Sequence, residues 1–133
     1  MSSATVRWIK GKQFIGIDST NHSVVLSSPD EGIGMKPSEL LLVALGSCTA
    51  VDVVEILRKK KKPVTNLEIN VTGEQDADPP WTFQNINIKY TLSGNDLTPD
   101  DVKKAIDLSE EKYCSVASTI RGKAKITTEF EII

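Results

Sequence analysis

Two cysteines and one histidine are the side chains of this 133-residue chain with the readiest nucleophilic or metal-ligating chemistry: Cys48 and Cys114, 66 positions apart, and His22. A structural zinc site normally takes four Cys or His ligands, so three scattered candidates argue against a bound metal. A Ser-His-Asp or Cys-His arrangement would have to use His22, which stands in a turn-like Ser19-Thr20-Asn21-His22 segment and reads as a solvated loop residue. Neither G-x-G-x-x-G nor G-x-x-x-x-G-K-[ST] can be written on the chain, so no glycine-rich phosphate loop is expected. What remains is thiol chemistry at Cys48 and Cys114.

Cys48 lies at the centre of Leu40 to Leu57, LLLVALGSCTAVDVVEIL, where only Ser47, Thr49, Asp52 and Glu55 interrupt an apolar run. A helix apolar on every side needs cover on most of them. The stretch therefore reads as a buried central helix with Cys48 deep on a rigid element. Asp52 and Glu55 in its second half argue against a membrane span. Pro37, Ser38 and Glu39 suit a helix start, and Pro63 forbids continuation. Arg58 to Lys62 form a basic run there, which complements the helix dipole better than it suggests a nucleic-acid surface on a chain of net charge -2.

Ahead of that helix, Ala4–Lys10, Gln13–Asp18 and Ser23–Ser28 read as strands, the last two as a hairpin. Pro29–Pro37 is a glycine- and proline-rich loop. After Pro63, alternation at Leu67, Ile69 and Val71, then at Ile86, Ile88, Tyr90 and Leu92, marks a second, longer hairpin around the acidic Gly73–Pro80 tip. Thr98 as cap, Pro99 and two acids open a helix that ends near Lys112 or Tyr113. Ser115–Ile120 is a short second helix, which puts Cys114 at a helix N-terminus, where amide dipoles favour a thiolate. Lys123–Ile132 is the last strand. Hairpins dominate and no run of β-α-β units appears, so the class is α+β with a mainly antiparallel sheet, as one domain over residues 1–133. So small a domain has little to cover an all-round apolar helix, and a homodimer is expected.

Composition adds bounds. A 39% apolar and 26% charged fraction is that of an ordinary soluble globular protein. Met1–Lys10 lacks the apolar run of a signal peptide, so a cytoplasmic location is expected, with both cysteines kept as thiols.

Met35-Lys36-Pro37-Ser38-Glu39-Leu40 through Gly46-Ser47-Cys48, with Glu111-Lys112-Tyr113-Cys114-Ser115-Val116 much later, resembles the two cysteine motifs of the OsmC/Ohr family, osmotically inducible protein C and the organic hydroperoxide resistance proteins. The order of elements matches over the whole chain. The Cys48-Thr49-Ala50-Val51-Asp52-Val53-Val54 start and the first strand with Trp8 look most like a third, YhfA-like branch. The resemblance implies an intertwined homodimer with active sites at the subunit interface. It also implies reduction of organic hydroperoxides by Cys48, with Cys114 closing a disulfide that a dithiol, lipoylated protein in the hydroperoxide resistance branch, then reduces. No bound cofactor, nucleic acid or membrane is implied.

Thiol chemistry fits in part. A thiolate cleaves a peroxide to give a sulfenic acid, and a second thiol rescues it. A buried thiol needs a cation to ionise, and the family's best-known members bring an arginine on a G-G-R-D-G loop. The corresponding Gly11-Lys12-Gln13-Phe14-Ile15-Gly16 has none. The acid after Pro37 is displaced to Glu39, nine residues before Cys48 and half a helical turn out of phase. Asp52 and Glu55 share the face of Cys48 and would oppose its ionisation, while Arg7, Lys10, Lys12 and Arg121 are the available cations. Two functions stand: a Cys48/Cys114 hydroperoxide reductase, and a non-enzymatic dimeric stress-response or ligand-binding module, which the missing arginine favours.

Overall fold

Alternating residues near the N-terminus become a three-stranded antiparallel meander, β1 (Ala4–Lys10), β2 (Gln13–Asp18) and β3 (Ser23–Ser27). The computed structural model describes residues 1–133 as two units, Met1–Leu41 and Leu42–Ile133. In the first unit, Asp18 accepts hydrogen bonds from the backbone N–H groups of Thr20 and His22 and closes the β2–β3 turn. The following loop returns to β3, where the Gly34 N–H donates to Ser27 Oγ at 3.0 Å. Only hydrogen fits on Gly34, since a Cβ there would stand 2.7 Å from the Val25 carbonyl oxygen.

The helix α1 (Pro37–Lys59) begins in the first unit and continues into the second. Its bounds contain the expected Leu40–Leu57 stretch, with Glu39 in the first turn and Arg58 and Lys59 in the last. The basic run is largely engaged within the chain: Arg58 forks onto Glu55, and Lys62 pairs with Asp101 at 2.7 Å.

The second unit holds β4 (Val64–Gln75), β5 (Phe83–Gly94), α2 (Pro99–Leu108), a π-helical turn (Ser109–Tyr113), α3 (Ser115–Arg121) and β6 (Lys125–Ile132). The start of α2 is a capping box: Thr98 Oγ1 accepts from the Asp101 N–H and the Asp101 carboxylate accepts from the Thr98 N–H, with Pro99 in the first turn. β4 and β5 form the expected antiparallel hairpin. β6 departs from the hairpin expectation by pairing parallel with β5 in the order β4-β5-β6. The reason is the connection, because the chain crosses back through α2 and α3 before entering β6, and such a crossover delivers a parallel strand.

Inward residues of β5 (Ile86, Ile88, Tyr90, Leu92) meet Val102, Ala105 and Ile106 of α2 and Leu45, Val53 and Leu57 of α1 in one core. α1 approaches the sheet closely at Gly46, where a Cβ would lie 3.0 Å from Val71. The cover of α1 is narrower than its composition suggests. Leu45, Gly46, Thr49, Val53 and Leu57 are buried, spaced mostly by four so that they form one stripe, while Val43, Val51 and Val54 are exposed. A single chain thus leaves much of the apolar surface of α1 uncovered.

Candidate thiol site

Both cysteines belong to the second unit and both are free thiols. Cys48, on α1 beside the buried stripe, is half-buried, and Cys114 is the deep one at 2% exposure. This reverses the expected depths. The π-helical turn ends with the Cys114 N–H donating to the Ser109 carbonyl at 2.8 Å, five residues back. Cys114 then turns to extended geometry and caps α3, its Sγ accepting the Ala117 N–H at 3.3 Å. Bonded at both ends, Cys114 is anchored.

The two thiols are neighbours, close enough for Cys48 to bear on the titration of Cys114. Burial, then the neighbouring Cys48 thiol, push the Cys114 thiol up to about 12. The expected helix N-terminus is there and its single N–H bond pulls the other way, but desolvation wins. Cys114 is therefore held as the protonated thiol at neutral pH.

Behind the thiols runs a buried polar chain that the sequence reading missed. Thr49 Oγ1 lies 2.7 Å from the Tyr90 hydroxyl and 2.9 Å from Ser109 Oγ, which donates to Asp52 Oδ2 at 2.8 Å. Burial lifts the Tyr90 phenol far above its ordinary value, so it stays neutral. The available signal was polar residues at positions the period assigns to the core: Thr49 in an apolar helix, Ser109 in line with Val102, Ala105 and Ile106, and Tyr90 on an inward strand face. Glu110 also stands here. Burial raises its carboxyl above the usual range against the opposing effect of Arg121, and its charge bears on Cys114 and Tyr90.

The expected carboxylates and cations separate. Asp52 is engaged by Ser109, and Glu55 is paired with Arg58, which lowers its pKa. Glu39 is exposed near Lys36, 3.7 Å away. In the first unit Lys12 binds Asp30 at 2.7 Å, Arg7 and Lys10 are exposed on β1, and His22 is an exposed turn residue, 2.7 Å from Thr20 Oγ1. In the second unit Arg121 is bonded to both the carboxylate and the backbone carbonyl of Glu110, four residues before Cys114.

An α+β chain with two thiols meeting between a long helix and a short one defines a recognisable class. The family described as OsmC-like protein matches residues 28–129, and this chain belongs to that family. Protein YhfA of Escherichia coli K12 is 35% identical over 130 residues, covering 98% of this chain and 97% of the relative. Among solved structures, an OsmC-like protein from Mycoplasma pneumoniae superposes with a TM-score of 0.87 at 18% identity, covering 100% of this chain and 97% of that one. The organic hydroperoxide resistance protein OhrB of Bacillus subtilis does so with a TM-score of 0.66 at 15% identity, covering 98% of each chain. Both share the fold.

Proposed function

We propose that this protein reduces organic hydroperoxides with Cys48 as the attacking thiol and Cys114 as the resolving one. The observation that carries the reading is the asymmetry of the pair: Cys48 is reachable, while its neighbour Cys114 is buried and held protonated. The Cys48 thiolate takes the distal oxygen of ROOH, and the departing alkoxide leaves as ROH after protonation, giving a sulfenic acid. Attack by Cys114 on that sulfur forms the disulfide and releases water. An external dithiol, lipoylated or otherwise, returns both thiols and is itself oxidised to a disulfide.

The working form is a cytoplasmic homodimer that acts on organic hydroperoxides, without a bound cofactor and without nucleic-acid or membrane partners. The exposed apolar side chains Val43, Val51 and Val54 of α1 and Val6, Trp8 and Ile9 of β1 support a covering second copy. Engagement of Arg58 and Lys62 by carboxylates supports the absence of a polyanion site.

Cys48→Ser is expected to abolish consumption of cumene hydroperoxide. Cys114→Ser is expected to allow one burst, leaving a sulfenic acid on Cys48 that proceeds to sulfinic acid under excess peroxide. Activity retained in Cys48→Ser, or first oxidation found on Cys114 by mass spectrometry, rejects the assignment. A second reading, a non-enzymatic dimeric module, is favoured by the engagement of Lys12 with Asp30 and of Arg121 with Glu110. Thiol titration before and after substoichiometric peroxide separates the two: a redox pair loses both thiols together, and an inert pair loses neither.

A further inference from the structure

Closing a disulfide from Cys114 requires its thiol to lose a proton, and burial opposes that loss. Solvent reaches this sulfur poorly, so a base must come from the protein. Four residues earlier, on the π-helical turn, Glu110 has a side chain only 13% exposed. The Arg121 guanidinium holds its Oε2 at 3.3 Å and also binds its backbone carbonyl. Oε1, the other carboxylate oxygen, is buried and has no hydrogen-bond donor within the chain. A buried acceptor without a donor is unfavourable, and a donor arriving during reaction would relieve it.

We propose that Glu110, oriented by Arg121, is the proton acceptor for Cys114 in the resolving step. The proposal rests on the thiol-pair reading above and adds the residue that makes the second thiol reactive. The step is Cys48–S–OH plus Cys114–SH giving the Cys48–Cys114 disulfide and water: the S–S bond forms, the S–O bond breaks, the thiol proton passes to Glu110 Oε1, and the leaving hydroxide recovers it. The neighbouring groups do not compete. Tyr90, from β5, is a neutral phenol already bonded to Thr49. Asp52, from α1, is bonded to Ser109, and Lys112 lies over the Tyr113 ring at 5.4 Å. Burial makes Glu110 a stronger base than a solvated carboxylate, and Arg121 opposes that rise.

Ellman's reagent tests the step without peroxide. The reachable Cys48 forms a mixed disulfide with release of one thionitrobenzoate, and attack by Cys114 releases a second. In Glu110→Gln the first phase should stay close to wild type, while the second slows about 100-fold at pH 7 and regains rate as pH rises, because hydroxide replaces the carboxylate. Glu110→Asp should recover part of the loss. The proposal is overturned by an unchanged second phase in Glu110→Gln, by slowing that does not depend on pH, or by a wild-type protein with no second phase. A Glu110-dependent second phase in a protein that consumes no hydroperoxide keeps Glu110 as the base and removes the peroxidase reading.

Discussion

Met1–Leu41 and Leu42–Ile133 differ in what holds them together. The first unit has well-marked strands and turns, yet all seven residues of β1 are exposed, with Val6 at 63% and Trp8 at 68%. Its buried residues are Leu26 and Ser27 alone. The second unit contains every residue of the hydrophobic core cluster. A segment of about 40 residues without a core is below the size that sustains itself. Strand formation and stabilisation are therefore separate matters here: alternation and turns specify the meander, while burial in the other unit supplies most of the stability a single chain has.

The largest test of that contrast is Leu45→Asp. Leu45 is fully buried on α1, and an unpaired charge there is expected to cost more than ~4 kcal/mol, enough to abolish soluble, folded protein. Normal yield and melting would mean that α1 is not central to the core. Next comes Tyr90→Phe, which removes the hydroxyl that meets Thr49 at 2.7 Å. Leaving Thr49 with one partner fewer should lower urea-unfolding stability by ~1–2 kcal/mol. A loss of that size would mark the polar chain behind the thiols as part of what holds the second unit.

Each unit also has an Asp–Lys pair, which allows a matched comparison. Asp101 in the second unit and Asp30 in the first are both held at about 2, first by hydrogen bonds from Lys62 and Lys12 respectively, then by Thr98 and Ser28. Both values are depressed below the ordinary 3.8, so each pair contributes stability above that value and loses it as pH falls through about 2. Asp101→Asn should lower the melting temperature at pH 7, with the difference from wild type vanishing near pH 2. Asp30→Asn should show the same pH course with a smaller amplitude, because its side chain and that of Lys12 are 65% and 61% exposed. Equal amplitudes would contradict the ranking of the two units.

The smallest effect is expected at Val6→Thr. On an exposed strand the change should move the stability of a monomer by less than about 0.5 kcal/mol. A larger shift that grows with dilution would show by sedimentation that a second copy covers β1.

Much of the architecture was legible locally. The strand alternations, the capping box at Thr98 and Asp101, Pro63 as a stop and Gly122 before the last strand all depend on neighbours within a few residues, and such signals survive in one dimension. The placement of Cys114 at the start of a short helix was of the same kind. Through-space matters were not legible. An all-apolar α1 carries no phase, so its residues could not say which stripe is covered, or that Cys48 lies at the edge of it while Cys114 is the deeper thiol. The parallel entry of β6 depends on the path of the crossover. Desolvation depends on everything packed around a group, and so the protonated state of Cys114, the neutrality of Tyr90 and the orphaned oxygen of Glu110 were decided only when α1, β5, the π-helical turn and α3 came together.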